Sequence, residues 1–250
     1  MDESLAITRL LNYLFAAPMD ALLRAVGVQP ANPAAPIDNT FALELLIVLG
    51  FIAFFALVRF SLSVEKPGTP QQFAEMIHEL IGGLAEQSIG HGYQRFQAFV
   101  TCVFLFILTC NLIGLIPGID APTMTPAVPL GIAVAVFIYY NINGVRAQGH
   151  IGYMKHFAGP IWWIAWLLFP IEIISHLARM MSLTIRLWAN MFAGDLVTLV
   201  FFSLIPLGIP VVFLGLHLFV SVIQAFVFTM LAMIYLGQAV AHAGDNSASL

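Results

Sequence analysis

Charge is scarce in this sequence: only 9% of its 250 residues are Asp, Glu, Lys or Arg, against roughly a quarter in soluble chains. Together with 60% hydrophobic residues, that scarcity excludes an ordinary soluble domain and makes the chain an integral membrane protein. Basic residues are scarcest. Nine of them stand against thirteen acids for a net charge of -4, and they are scattered, so no basic patch exists to hold a nucleic acid. Cysteine is nearly absent. Cys102 and Cys110 share one apolar run without a CxxC or Cys/His cluster, which excludes a disulfide framework and a structural zinc site. The N-terminus opens on Asp2 and Glu3 with no basic region, and its first long apolar stretch waits until residue 41. That order argues against a cleaved signal peptide and for a chain that is mature as written. Enzyme signatures are missing too: His78-Glu79 begins an HExxH with Gly82 in place of the second histidine, and neither a P-loop nor GxSxG occurs. No cofactor or metal is indicated.

What is present is a series of apolar segments. Residues 1–40 form an N-terminal interfacial segment, in which 4–28 reads as one or two short interfacial helices and 29–40 holds three prolines. Residues 41–250 read as a single membrane domain. Spans are expected at 41–62, 98–117 and 128–142, the last followed by a polar loop with Arg146 and Lys155. Between the first two, residues 70–92 place Phe73, Ile77, Leu80, Ile81 and Leu84 on one face and Glu75, Glu79 and Glu86 elsewhere, an amphipathic helix at the membrane surface. Residues 160–205 and 211–242 then read as two helices split by Pro206 and Pro210. At 1.5 Å per residue they are about 69 and 48 Å long, against a hydrocarbon core of about 30 Å. They fit only if steeply tilted as a hairpin. The fold is therefore all-α, with about five membrane helices and one surface helix. Arg59, Lys66, Arg95, Arg146 and Lys155 fall on one side and Arg9 and Arg24 on the other, which puts the N-terminus outside and the C-terminus in the cytoplasm. Trp162, Trp163 and Trp166 mark an aromatic belt at the inner face.

The first long helix carries Glu172, His176, Arg179, Arg186, Asn190 and Asp195. With Glu172 at zero and about 100° per residue, His176 falls near 40°, Arg179 near -20°, Arg186 near -40° and Asn190 near 0°. All but Asp195 share one face. On the second long helix His217, Ser221, Gln224 and Tyr235 form another polar stripe. An arginine at the centre of a membrane helix costs about 2.5 to 3.5 kcal/mol on insertion scales, so it needs a partner, water or a task. Arg179 has Glu172 two turns away as a structural alternative. Arg186 stands fourteen residues from Glu172 and nine from Asp195, with no intrahelical partner in reach. Without nucleotide motif or hydrolytic triad, the chemistry of this chain is proton or ion movement.

The runs Arg186-Leu187-Trp188-Ala189-Asn190-Met191-Phe192-Ala193-Gly194-Asp195, Gln224-Ala225-Phe226-Val227-Phe228, Ile234-Tyr235-Leu236 and Asn111-Leu112-Ile113-Gly114-Leu115-Ile116-Pro117-Gly118 closely resemble subunit a of the F-type ATP synthases, over roughly residues 95 to 240. Trp188 stands where that family usually has phenylalanine, and Asp195 where glutamate or histidine is commoner. The resemblance implies a proton-translocating stator subunit, not an enzyme on its own, with two offset aqueous half-channels against a rotating ring of c subunits. It implies Arg186 as the stator arginine facing a ring carboxylate. The proton pathway it implies, joined to the two polar stripes, takes in Glu172, His176, Asn190, Asp195, His217, Ser221, Gln224 and Tyr235. The implied partners are the c ring, the peripheral-stalk b subunits, the rest of the synthase and the lipid bilayer. The implied location is a bacterial plasma membrane, with the mitochondrial inner membrane as the alternative. A self-contained secondary transporter is the rival reading, disfavoured by the lack of an internal repeat. A membrane protease or oxidoreductase lacks nucleophile and histidine pairs.

Overall fold

The structure is a computed structural model that describes residues 5–25, 27, 35–63, 67–90, 92–116, 118–158, 165–204 and 208–245. Among them are seven α-helices and one 3-10 turn, with no strand. Five of the helices are long and apolar enough to cross a membrane, over Asn39–Phe60, Gln94–Ile113, Ala127–Ala147, Ile173–Leu204 and Val211–Val240. The chain is thus an all-α membrane protein. Trp162, Trp163, Lys66 and Pro206 lie outside the described residues.

Residues 1–60 form one compact unit. Helix α1 (Ala6–Ala25) runs as one helix through Pro18, and α2 (Asn39–Phe60) is the first apolar span. Side chains tie the two together. Asn12 donates to the Ile37 carbonyl at 2.9 Å and accepts from the Ile37 amide at 3.0 Å, while Asn39 Oδ1 accepts from Thr8 Oγ1 at 2.7 Å. Asp38 Oδ1 takes the Phe41 amide at 2.9 Å, a side-chain N-cap for α2.

Residues 61–250 form the second unit, built from α3 (Thr69–Ile89), α4 (Gln94–Ile113), the 3-10 turn Pro122–Met124, α5 (Ala127–Ala158), α6 (Ala165–Leu204) and α7 (Ile209–Asp245). Helix α7 is the hub, since α3, α4, α5 and α6 all pack on it. Its sequence explains why: His217, Ser221, Gln224, Ala225, Phe228, Thr229, Ala232, Met233 and Leu236 are buried, a continuous stripe at helical spacing that mixes small and bulky residues. Helix α6 differs. His176, Leu183, Thr184, Leu187 and Met191 are buried, a narrow strip that leaves most of its circumference open.

Two sequence expectations need correction. Residues 143–158, expected as a polar loop, are helical to Ala158 with a break at Gly149, where φ is 74° and ψ 162°. Asn141 and Asn143 bond back to the Phe137 and Tyr139 carbonyls at 2.7 and 2.8 Å, so their amides are satisfied within the helix and need no loop. The apolar side chains of α3 also divide into two faces. Ile77, Ile81 and Ala85 are buried, whereas Phe73, Met76 and Leu80 are exposed; the first group meets the bundle, and the second leaves an apolar stripe toward the surroundings.

A close backbone approach occurs at Gly237 of α7, where an added Cβ would stand 2.6 Å from the Ser88 carbonyl oxygen and 3.3 Å from Ile89 Cα. Mid-helix glycine is ordinarily worse than alanine by about 0.5–1 kcal/mol. Here the obstacle is backbone, which cannot rotate aside, so the sign reverses. Gly237→Ala is expected to lose about 1–3 kcal/mol, the usual range for overpacking. Thermal unfolding of the purified protein would show it as a lowered midpoint. An unchanged or raised midpoint would refute the contact.

Candidate functional site: a polar seam along the last two helices

Helices α6 and α7 pair antiparallel, and side-chain contacts give the register. Phe201 stacks on Phe213 with ring centroids 4.1 Å apart. An added Cβ on Gly194 would stand 3.4 Å from His217 Nδ1. Ser221 Oγ lies 3.8 Å from Met191 Sδ, Asn190 Nδ2 donates to Gln224 Oε1 at 3.0 Å, and Arg179 Nη1 reaches Gln238 Oε1 at 3.5 Å. From Arg179 to Phe201 the seam covers 22 residues of α6 (201 − 179), about 33 Å of helix.

At the end nearer the α6–α7 connection, Asp195 and His217 interact electrostatically across the seam, and Asp120 in the loop after α4 also acts on Asp195. Gly194, next to Asp195, lies in van der Waals reach of the imidazole, so the two helices are close at this point. Only 4% of His217 is exposed. Among the described residues three buried side-chain polar atoms have no partner, and two of them are His217 Nε2 and Gln224 Nε2. Buried polar atoms without partners are uncommon in folded interiors and mark strained or working sites. These two sit two turns apart on one face of α7.

The loop that brings Asp120 here is pinned from beneath. Asn111, fully buried at the end of α4, accepts from Thr123 Oγ1 at 2.7 Å and donates to the Ser221 carbonyl at 3.2 Å. One amide therefore joins α4, the 3-10 turn and α7. Gly114 lets the chain fold back, since a Cβ there would meet the Ala121 side chain at 2.6 Å.

At mid-seam Arg186 is exposed. It donates to Ser182 Oγ on its own helix at 3.4 Å, and among the described residues no carboxylate pairs with it. Ser182, Ala193, Val197 and Val200 lie along the same side of α6, at angles near Arg186. The result is a lone cation on a mainly apolar, uncovered face.

At the opposite end the polar residues separate by partner. The Tyr140 hydroxyl of α5 hydrogen-bonds His176 Nδ1 at 2.7 Å. Arg179 lies over the Tyr235 ring, its Cζ 5.3 Å from the centroid. Glu172 has its backbone in α6, and its side chain lies outside the described residues. The expected shared face thus resolves into three environments: His176 turns to α5, Arg179 and Asn190 to α7, and Arg186 to none. An angular spread of about 80° between His176 and Arg186 is enough to give different neighbours.

Sequence reading missed Asp120, Asn111, Thr123, Tyr140 and Gln238 as members of these clusters. Asn111 carried a signal, being an amide inside an apolar run. Tyr140 carried none, because a tyrosine in a span reads as ordinary packing. The described residues contain no group of His, Cys, Asp and Glu able to hold a metal.

The family model described as ATP synthase A chain matches residues 41–237. ATP synthase subunit a of Koribacter versatilis (strain Ellin345) is 51% identical over 245 residues, covering 98% of this chain and 100% of that protein. Subunit a of Solibacter usitatus (strain Ellin6076) is 48% identical over 223 residues, 89% and 95% of the two chains. Subunit a of Solidesulfovibrio magneticus is 41% identical over 238 residues, 90% and 95%.

Proposed function

The chain belongs to the ATP synthase subunit a family, the proton-channel stator of the membrane sector, and from that premise we propose that its polar seam is two half-channels separated by Arg186. The observation that carries this reading is the unpaired, exposed Arg186 between two polar clusters at opposite ends of one hairpin. A c-subunit ring, each subunit bearing one membrane carboxylate, turns against the open face of α6. Opposite charge favours the ionised form of a carboxylate. A ring acid passing Arg186 therefore releases its proton, and the same positive charge repels a proton hopping directly from one cluster to the other.

Asp195, His217, Ser221, Gln224 and Asn190 serve the outer half-channel. Glu172, His176 and Tyr235 serve the inner one. Asp195 and Glu172 are 23 residues apart (195 − 172), about 35 Å of helix, too far for one water pocket. Both long helices lie tilted in a bacterial plasma membrane, since about 30 Å of hydrocarbon accommodates their length only obliquely. The b subunits of the peripheral stalk keep the stator from turning with the ring.

The assignment of sides can be tested directly. In a protein lacking Cys102 and Cys110, single cysteines at Ala147 and Asn246 are expected to react with an impermeant maleimide only from the cytoplasmic side. Ala147 is chosen over Gly149, whose positive φ would strain a cysteine. A tag on the same chain is expected to co-purify the c ring and the nucleotide-hydrolysing head. Labelling of both from the outer side only would reverse the half-channels, labelling from opposite faces would mean that α6 is not one uncut span, and recovery of the chain alone would overturn the stator reading.

A further inference from the structure

A 2.7 Å polar contact at the His176 end of the seam involves a residue outside the pathway so far described. Tyr140 and His176 are both in the core, with 4% and 9% of their surface exposed, and their polar atoms meet at 2.7 Å. The surrounding rings are fixed. Phe137 sits edge-on to Tyr140 at 5.4 Å, Tyr235 lies 6.3 Å away, and the Tyr140 and His176 rings are 5.8 Å apart at 25°. A phenylalanine at 140 would satisfy all of that packing. What only tyrosine supplies is an oxygen at His176 Nδ1.

In a histidine, the hydrogen bond at one ring nitrogen decides which proton the other carries. We propose that Tyr140 is a positioning residue of the inner half-channel, accepting the Nδ1–H of His176 and thereby keeping Nε2 as the nitrogen that takes up and releases the travelling proton. A proton arriving at Nε2 makes the imidazolium, whose Nδ1–H still donates to Tyr140. Loss of that proton from Nε2 restores the starting tautomer, and the phenol never ionises. The other groups at this end suit the role. Arg179, one turn along α6, is engaged by the Tyr235 ring and Gln238. His176 stands ten residues before Arg186, about 15 Å along the helix, where a proton leaving the ring region needs a relay.

The inference rests on the reading of His176 as part of the pathway, and the test separates the two. ATP-driven proton pumping would be measured in inverted vesicles carrying the whole synthase, with assembled complex quantified in each preparation. Tyr140→Phe is expected to slow pumping about threefold to tenfold, the range one neutral hydrogen bond commands. In a His176→Ala background the same change is expected to cost nothing further, because a residue that acts through another has no effect once that other is gone. Tyr139→Phe, which alters a ring stacked on Phe99 at 3.7 Å, is the control expected to leave pumping unchanged. Wild-type pumping in Tyr140→Phe, or an equal loss in both backgrounds, would overturn the positioning role. Wild-type pumping in His176→Ala would instead remove His176 from the pathway, and the proposal with it.

Discussion

Arg186→Ala is expected to abolish proton-driven ATP synthesis while leaving the protein folded and the complex assembled. The structure supports the second half of that expectation, and the first rests on the role proposed for Arg186. The side chain is exposed, its one described partner is a serine on the same helix at 3.4 Å, and no packing depends on it. Its removal therefore costs stability little, and takes an expensive charge out of an apolar face, worth about 2.5 to 3.5 kcal/mol in the other direction. Function fails because a ring carboxylate passing alanine has no cation to hold it ionised, and a proton between the half-channels meets no opposing charge. Vesicles with the substituted complex are expected to leak protons passively. Arg179→Ala is the contrast. It forfeits a cation–π contact of about 0.5–2 kcal/mol and a weak bond to Gln238, both structural, so a lower melting point with coupling largely kept is expected. Near-normal coupling in both variants would end the stator assignment of Arg186.

The second large effect concerns Asp195 and His217. Each interacts with the other electrostatically across the seam, and the proposed function assigns both to the half-channel through which protons reach the ring during synthesis. Asp195→Ala or His217→Ala alone is expected to slow proton uptake by ~10²-fold, the low end of what a positioned acid or base contributes. Groups that exchange protons act as a pair. Asp195→His combined with His217→Asp keeps one carboxylate and one imidazole at the same site, and is expected to recover more transport than either of those two substitutions alone. Gly194 favours this exchange, since aspartate is smaller than the imidazole now packed against it. A double variant no better than the worse single one would place the two residues in separate paths.

The long helices were legible in the sequence because a hydrophobic run has one meaning at this composition, and α6 and α7 carry no interior break strong enough to mislead. The register that sets Gly194 against His217 follows from the antiparallel turn visible in the sequence, and the exchange of Asp195 and His217 tests their coupling. Other features escaped because their cause is tertiary. Helix α5 runs past residue 142 where asparagines satisfy themselves on their own helix, a polar stretch that composition reads as loop. The two-sided character of α3 depends on which of its apolar residues α4 and α7 cover. Asp120 joins the outer cluster only because Asn111 and Thr123 hold a loop that the sequence presents as an exit from a span.

The position of α7 as hub also governs how the protein is made. Helices α3 to α6 leave the ribosome before it, yet each packs on it, so their buried faces have no common partner until α7 is translated and inserted. For that interval the nascent chain holds the buried amide of Asn111 in lipid or in the insertion machinery without the Ser221 carbonyl of α7 to which it donates. Assembly of this unit is then a late, concerted event, not a helix-by-helix one. A ribosome stalled before residue 209 is expected to leave a chain that membrane proteases recognise, and pulse-chase of such truncations would measure how strongly quality control depends on the last helix.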